Sequence, residues 1–209
     1  MKKKAIKIID ILKAQYPDAL CALHYKKDYE LMIAVRLSAQ CTDARVNLIT
    51  PALFAAYPTL EAMANAKIED VEDYVRTCGF YHQKAKDIVL ACQMLIRDYG
   101  GKVPDTMDAL LRLPGVGRKT ANVVLGDYFG VPGLPVDTHV KRITNLLGVV
   151  KSDDPVAIEE ILCSALPPER WAQFSHLLIM HGRKQCVARR ADCANCVIAQ
   201  YCGNRKKNS

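Results

Sequence analysis

The sequence predicts an all-α protein organised as two helical lobes. Three observations carry that reading. Apolar residues recur at helical spacing in stretch after stretch, and the alternation that marks a half-buried strand is nearly absent. Glycines, prolines and capping residues fall where helices of ordinary length should begin and end.

The elements follow in order. The opening segment MKKKAIKIIDILKAQYP is basic, then amphipathic, and reads as a helix with Ile6, Ile9, Leu12 and Ala14 facing inward. It lacks a small-residue cleavage site, so it is not read as a signal peptide. YELMIAVRLSAQ (29–40) is short and apolar enough for a buried strand, but its length and its Ala, Leu and Met content favour a buried helix. Met107, Leu110, Leu111 and Leu113 form one helical face, and Ala121, Val124, Leu125 and Tyr128 another. Val140, Ile143 and Leu147 follow, stopped by Gly148. Asp154-Pro155 is an N-cap with proline at the first helical position, leading into Ile158, Ile161, Leu162 and Ala165. Phe174, Leu177, Leu178 and His181 make a last long helix, predicted to end at Gly182. Two prolines and two glycines in FGVPGLPVDT (129–138) suggest a break between a central helical domain and a C-terminal one. The tail GNRKKNS is polar.

Composition narrows the classes. Of 209 residues, 50% are apolar and 24% charged, which describes a globular chain rather than a disordered one. No apolar run reaches the roughly 18 residues of a membrane span, so a cytosolic compartment is expected. In that reducing setting nine cysteines argue against a disulfide framework. Cys21, Cys41, Cys78, Cys92 and Cys163 sit among apolar neighbours and read as small core residues. A net charge of +7 hints at a polyanionic partner.

Two stretches carry chemistry. CVARRADCANCVIAQYC (186–202) places Cys186, Cys193, Cys196 and Cys202 at a spacing of C-x6-C-x2-C-x5-C. Four thiolates suit zinc, although zinc modules usually pair two C-x2-C knuckles and only one is present here. They equally suit a 4Fe–4S cluster, and the residues alone leave both open.

LRLPGVGRKTANVVL (111–125) reads as a helix, a tight Gly115-Val116-Gly117 turn, and a second helix. The glycines reach backbone conformations closed to other residues and leave the turn's N–H groups uncovered. Together with the positive end of the second helix these make an anion site, the device of a helix–hairpin–helix that grips a nucleic-acid backbone. Lys119 falls in the first turn of that helix, where the dipole and partial burial would both favour the neutral amine that attacks carbon. The alternative is a second phosphate-neutralising charge beside Arg118. In VDTHVKR (136–142), Asp137 occupies an N-cap position, and its other reading is an acid paired with Lys119.

LPGVGRKTA, VDTH and the cysteine spacing, in this order, resemble the endonuclease III family, bifunctional DNA glycosylases of the helix–hairpin–helix superfamily. LSAQCTD (37–43), GFYHQKA (79–85) and HGRKQC (181–186) fit as well. The resemblance runs from about residue 25 to 202 and implies a six-helix barrel over 22–132. It joins residues 1–21 to 133–209 in an iron–sulfur lobe, with a DNA cleft between the two.

By the same resemblance Lys119 is the nucleophile, Asp137 its partner, and the four cysteines hold a 4Fe–4S cluster. Gln40 fills the gap left by a flipped base, and Gly79-Phe80 occupies the position of a hydrophobic wedge, for which core packing is the competing reading. The implied DNA contacts are Gly115, Val116, Gly117, Arg118, Thr120, His139, Arg142, Arg183, Arg189 and Arg190. For His139 a structural hydrogen-bonding role is weighed against these. The implied partner is double-stranded DNA bearing damaged pyrimidines or abasic sites. The chain is expected to act as a cytoplasmic monomer at the nucleoid, with no membrane partner.

Two other functions compete. An adenine-specific mismatch glycosylase would carry a catalytic glutamate on the helix of residues 31–39, where Arg36 falls and Glu30 lies a turn too early. A non-catalytic hairpin module with a structural metal site would not need both Lys119 and Asp137.

Overall fold

The computed structural model describes residues 2–203, so most of the polar tail lies outside the described residues. All regular structure among them is helical. The chain divides into two compact units, Ala22–Val131 and Met1–Cys21 with Pro132–Ser209.

The helix α1 (Lys2–Gln15) belongs to the second of these. Ala22–Val131 then holds α2 (Asp28–Ser38), α3 (Asp43–Ala56), α4 (Leu60–Ala64), α5 (Ile68–Val75), α6 (Tyr81–Tyr99), α7 (Met107–Leu110) and α8 (Arg118–Asp127). The stretch expected as a buried helix rather than a strand is α2, the centre of this unit. Tyr29 to Val35 and Leu37 are buried, and the helix packs against α3, α6 and α8. Its start is capped by Glu30, whose Oε2 accepts from the backbone N–H of Lys26 at 2.7 Å and of Lys27 at 3.3 Å. α3 starts at Thr42, whose Oγ1 accepts from the Arg45 N–H at 3.2 Å. α6 is the longest helix and ends on Gly100, in the left-handed region at φ +60°.

The other unit adds α9 (Thr138–Leu146), α10 (Pro155–Ala165), a 3₁₀ turn at Pro168–Arg170, α11 (Trp171–Lys184) and a second 3₁₀ turn at Ala199–Tyr201. Its core joins Ile8, Ile9 and Leu12 of α1 to Val140 and Ile143 of α9, Ile158 and Leu162 of α10, and Phe174, Leu177 and Leu178 of α11. Asp154 caps α10 as predicted, accepting from the N–H groups of Val156 at 3.1 Å and Ala157 at 3.3 Å.

Several faces are corrected. The buried stripe of α1 is Ala5, Ile8, Ile9 and Leu12, a strict i, i+3, i+4, i+7 set, whereas Ile6 is half-buried and Ala14 exposed. Leu111 and Tyr128, at the ends of their helices, are also exposed. Gly182 does not end its helix. It lies inside α11 and is buried, and a Cβ there would overlap the His139 ring of α9.

Candidate active site and four-cysteine site

The hairpin is built in Ala22–Val131. After the single turn of α7, the Leu113 carbonyl accepts from the Val116 N–H at 3.1 Å, which closes the turn. Gly115 sits at φ +73°, and a Cβ on it would come within 2.6 Å of Arg36 Nε and 2.7 Å of Asp87. Glycine is required there for both reasons. Beneath it Arg36 donates to Asp87 Oδ2 from Nε at 2.8 Å and from its terminal nitrogen at 2.6 Å. Gln83 donates to the other carboxylate oxygen at 2.7 Å. α2, α6 and the hairpin therefore meet on one charge-assisted junction.

Gly117 is the N-cap of α8, and no side chain caps that end. Among the described residues no backbone carbonyl takes the N–H of Gly115 or Gly117. These two N–H groups stay with the expected anion site, while that of Val116 is used by the turn and its side chain is buried. Arg118 and Lys119 stand exposed on the first turn of α8. The partial burial expected for Lys119 is not found. Thr120, expected at DNA, is 8% exposed and faces the interior, because it follows the exposed pair on the helix's inner side.

Two loops in this unit hold strained residues. Gln40, after α2, has φ +53°, and Phe80, at the start of α6, has φ +58°. Both are exposed, Phe80 at 70%, so its ring is not core packing. A Cβ on Gly79 would lie 3.6 Å from the Gln40 carbonyl, so the loops are in contact. They are held from within by Lys84, one of the most buried side chains, whose ammonium donates to the carbonyls of Leu37 at 2.8 Å and Ala39 at 2.6 Å. Burial lowers its pKa. The composition offered no sign of this lysine's role, since its partners lie 45 and 47 residues away.

In the other unit, Asp137 caps α9, its Oδ1 accepting from the Val140 N–H at 2.8 Å. The second carboxylate oxygen is not needed for that cap. His139 packs on Gly182 and lies 3.4 Å from Arg142, an arrangement that favours its structural reading. Arg142, expected at DNA, turns inward instead. It donates to the Cys186 carbonyl at 2.7 Å and to Cys186 Sγ at 3.3 Å.

All four C-terminal cysteines line one cavity, walled by apolar residues that include Ile143, Leu147 and Ile198. His181 is buried between Tyr16 and Cys196, with Nδ1 3.2 Å from the Tyr16 hydroxyl and Nε2 3.6 Å from Cys196 Sγ. Burial and the nearby Arg142 push its pKa down to about 4, so the ring is neutral. Among the described residues no group of three or more His, Cys, Asp or Glu side chains is arranged to hold a single metal ion. Arg183, Arg189 and Arg190 are exposed, and Arg189 takes φ +68° at the tip of the loop between Cys186 and Cys193.

A hairpin with an uncapped helix start and a lysine on its first turn defines a helix–hairpin–helix protein. The sequence pattern described as "HhH-GPD superfamily base excision DNA repair protein" matches residues 33–168. The endonuclease III of Synechocystis sp. is 46% identical over 202 residues, 96% of this chain and 92% of its own. Two solved structures are each 42% identical, with a TM-score of 0.95 over 100% of this chain and 98% of theirs. One is a non-covalent endonuclease III–DNA complex, the other a trapped endonuclease III–DNA covalent intermediate. The chain belongs to the endonuclease III family, enzymes of base excision repair that are DNA glycosylases and abasic-site lyases.

Proposed function

We propose that this enzyme releases oxidised or otherwise damaged pyrimidines from duplex DNA and then cuts the strand 3′ to the abasic site, with Lys119 as nucleophile. The carrying observation is the exposed Lys119 amine on the first turn of α8, beside a hairpin that offers N–H groups to phosphate. The target nucleotide leaves the stack, because its sugar carbon is out of reach inside a duplex. Lys119 Nζ forms a bond to C1′ as the bond from C1′ to the base breaks. The base departs with that electron pair and takes up a proton.

The amine sheds protons as the sugar opens to a Schiff base. Loss of a C2′ proton then expels the 3′ phosphate by β-elimination, and water frees the lysine. Asp137 supports positive charge developing on the sugar and later carries a proton, through the oxygen its helix cap does not use. Lys84, an alternative amine in the same unit, is enclosed and hydrogen-bonded, which supports Lys119 over it. The adenine-specific reading needs a glutamate where Arg36 stands, and Arg36 is engaged by Asp87.

Gln40 and Phe80 are proposed to enter the duplex at the flipped base. Gly115, Gly117, Arg118, Arg183, Arg189 and Arg190 are proposed phosphate contacts. Cys186, Cys193, Cys196 and Cys202 are proposed to hold a 4Fe–4S cluster. All four thiols line one cavity, which supports their acting together as the ligand set such a cluster would need. When bound it supplies rigid cross-linking of the basic loop rather than a reaction step. The enzyme is proposed to act as a monomer on chromosomal DNA in the cytoplasm.

The test is borohydride trapping on a thymine-glycol duplex. Lys119→Gln should abolish both trapping and strand cleavage while binding to an abasic duplex survives. Asp137→Asn, which keeps a capping side chain, should slow base release by roughly 100-fold or more but still trap on a pre-formed abasic site. Retained cleavage in Lys119→Gln would refute the assignment.

A further inference from the structure

Five cysteines lie outside the proposed cluster site, and two of them, Cys41 and Cys78, stand close together. Cys41 Sγ is 3.5 Å from Cys78 Sγ, although 37 residues separate them in the chain. Each sits in a short turn: the Cys41 N–H donates to the Ser38 carbonyl at 3.1 Å, and the Cys78 N–H to the Val75 carbonyl at 2.8 Å. Their neighbours are unusual. Among the described residues three non-glycine positions have positive φ, and two of these, Gln40 and Phe80, lie one and two residues from the pair. Backbone strain of this kind collects where a surface does work. Lys84, which braces the Gln40 loop, also carries its charge close enough to act on both sulfurs.

We propose that Cys41 and Cys78 form a reversible disulfide that ties together the two loops carrying Gln40 and Phe80. Cys41 is half-buried and open to a small oxidant, whereas Cys78 is 1% exposed. Burial pushes the Cys78 thiol up to about 11, against the opposing pull of Lys84, so Cys41 is the attacking sulfur and Cys78 the resolving one. The oxidant is a low-molecular-weight disulfide. The Cys41 thiolate displaces one thiolate from it, giving a mixed disulfide. Cys78 then displaces the second, forming the Cys41–Cys78 bond. The protein loses two hydrogens, and the small disulfide is reduced to two thiols.

Bond formation draws the sulfurs from 3.5 Å to about 2.05 Å and pulls on both loops. In a reducing cytosol the pair rests as thiols and closes when small disulfides accumulate. The consequence for catalysis rests on the proposed DNA-probing role of Gln40 and Phe80. A shift of about 1 Å in such groups can cost up to roughly 100-fold in rate.

The experiment uses the whole cluster-loaded protein, kept under nitrogen and titrated with glutathione disulfide. Alkylation and peptide mass spectrometry should find Cys41 joined to Cys78, with the loss of two hydrogens. Base release should slow about 10-fold or more and recover with dithiothreitol. Cys78→Ser should stop at the Cys41–glutathione adduct, and Cys41→Ser should take up no glutathione at Cys78. A persistent adduct in the unaltered protein, or Cys41 linked to another cysteine, would overturn the site. A Cys41–Cys78 bond that leaves the rate unchanged would overturn its control of the loops. Failure of the functional reading would show separately, as absence of base release in the reduced protein, since the cross-link mass does not depend on activity.

Discussion

Gly115 is where conformation and close approach make the same demand. Its φ of +73° disfavours any side chain, and the space a Cβ would need is filled by Arg36 and Asp87. Gly115→Ala must therefore strain the turn and displace a largely buried ion pair. We expect a loss of roughly 1–3 kcal/mol in urea-induced unfolding, and weaker DNA binding because the hairpin N–H groups are re-aimed. Unchanged stability would mean the turn can relax without disturbing Asp87. The neighbouring Lys119 owes its exposure to its place on the outer side of the first turn, with Thr120 already inside.

At the level of elements, the junction between α2 and α6 depends on a buried lysine. The end of α2 leaves carbonyls without helical partners, and Lys84 takes those of Leu37 and Ala39 from the next-but-three helix. Lys84→Met keeps the side chain's length and removes the donor. It also removes the cost of burying a charge, which offsets part of the loss. The buried Leu37 carbonyl is left without its donor, and this decides the sign. We expect net destabilisation of about 1–3 kcal/mol and faster amide exchange over residues 39–42. Borohydride trapping should persist, since the amine removed is not the proposed nucleophile. Exchange at 39–42 equal to that of the unaltered protein would show that Lys84 does not brace the loop.

For the whole molecule, the basic residues matter through salt. Affinity for duplex DNA should fall steeply as salt rises, and Arg189→Glu with Arg190→Glu should lower the slope of log affinity against log salt by about 2. The loss should be similar for damaged and undamaged duplexes, because phosphate contacts carry no base information. Cys196→Ser, which removes one proposed cluster ligand, should lower iron content and weaken both duplexes in the same way. A defect confined to damaged DNA would place these arginines at the base pocket instead.

What the sequence determined by itself was local to a few turns of chain. Helical period, the Asp137 and Asp154 caps, the glycine-marked hairpin and the cysteine spacing all depend on residues within about four to seven positions of one another, so their signals survive in one dimension. The family resemblance rested on the order of those local motifs. Tertiary packing decided which atoms of each motif remain available. It turned Thr120 inward and drew Arg142 onto Cys186 across 44 residues. It made Gly182 a point of helix–helix approach rather than a stop, and set Cys41 against Cys78. None of these leaves a periodic or spacing signal, because each arises where distant helices meet and their side chains compete for the same space and the same hydrogen-bond partners.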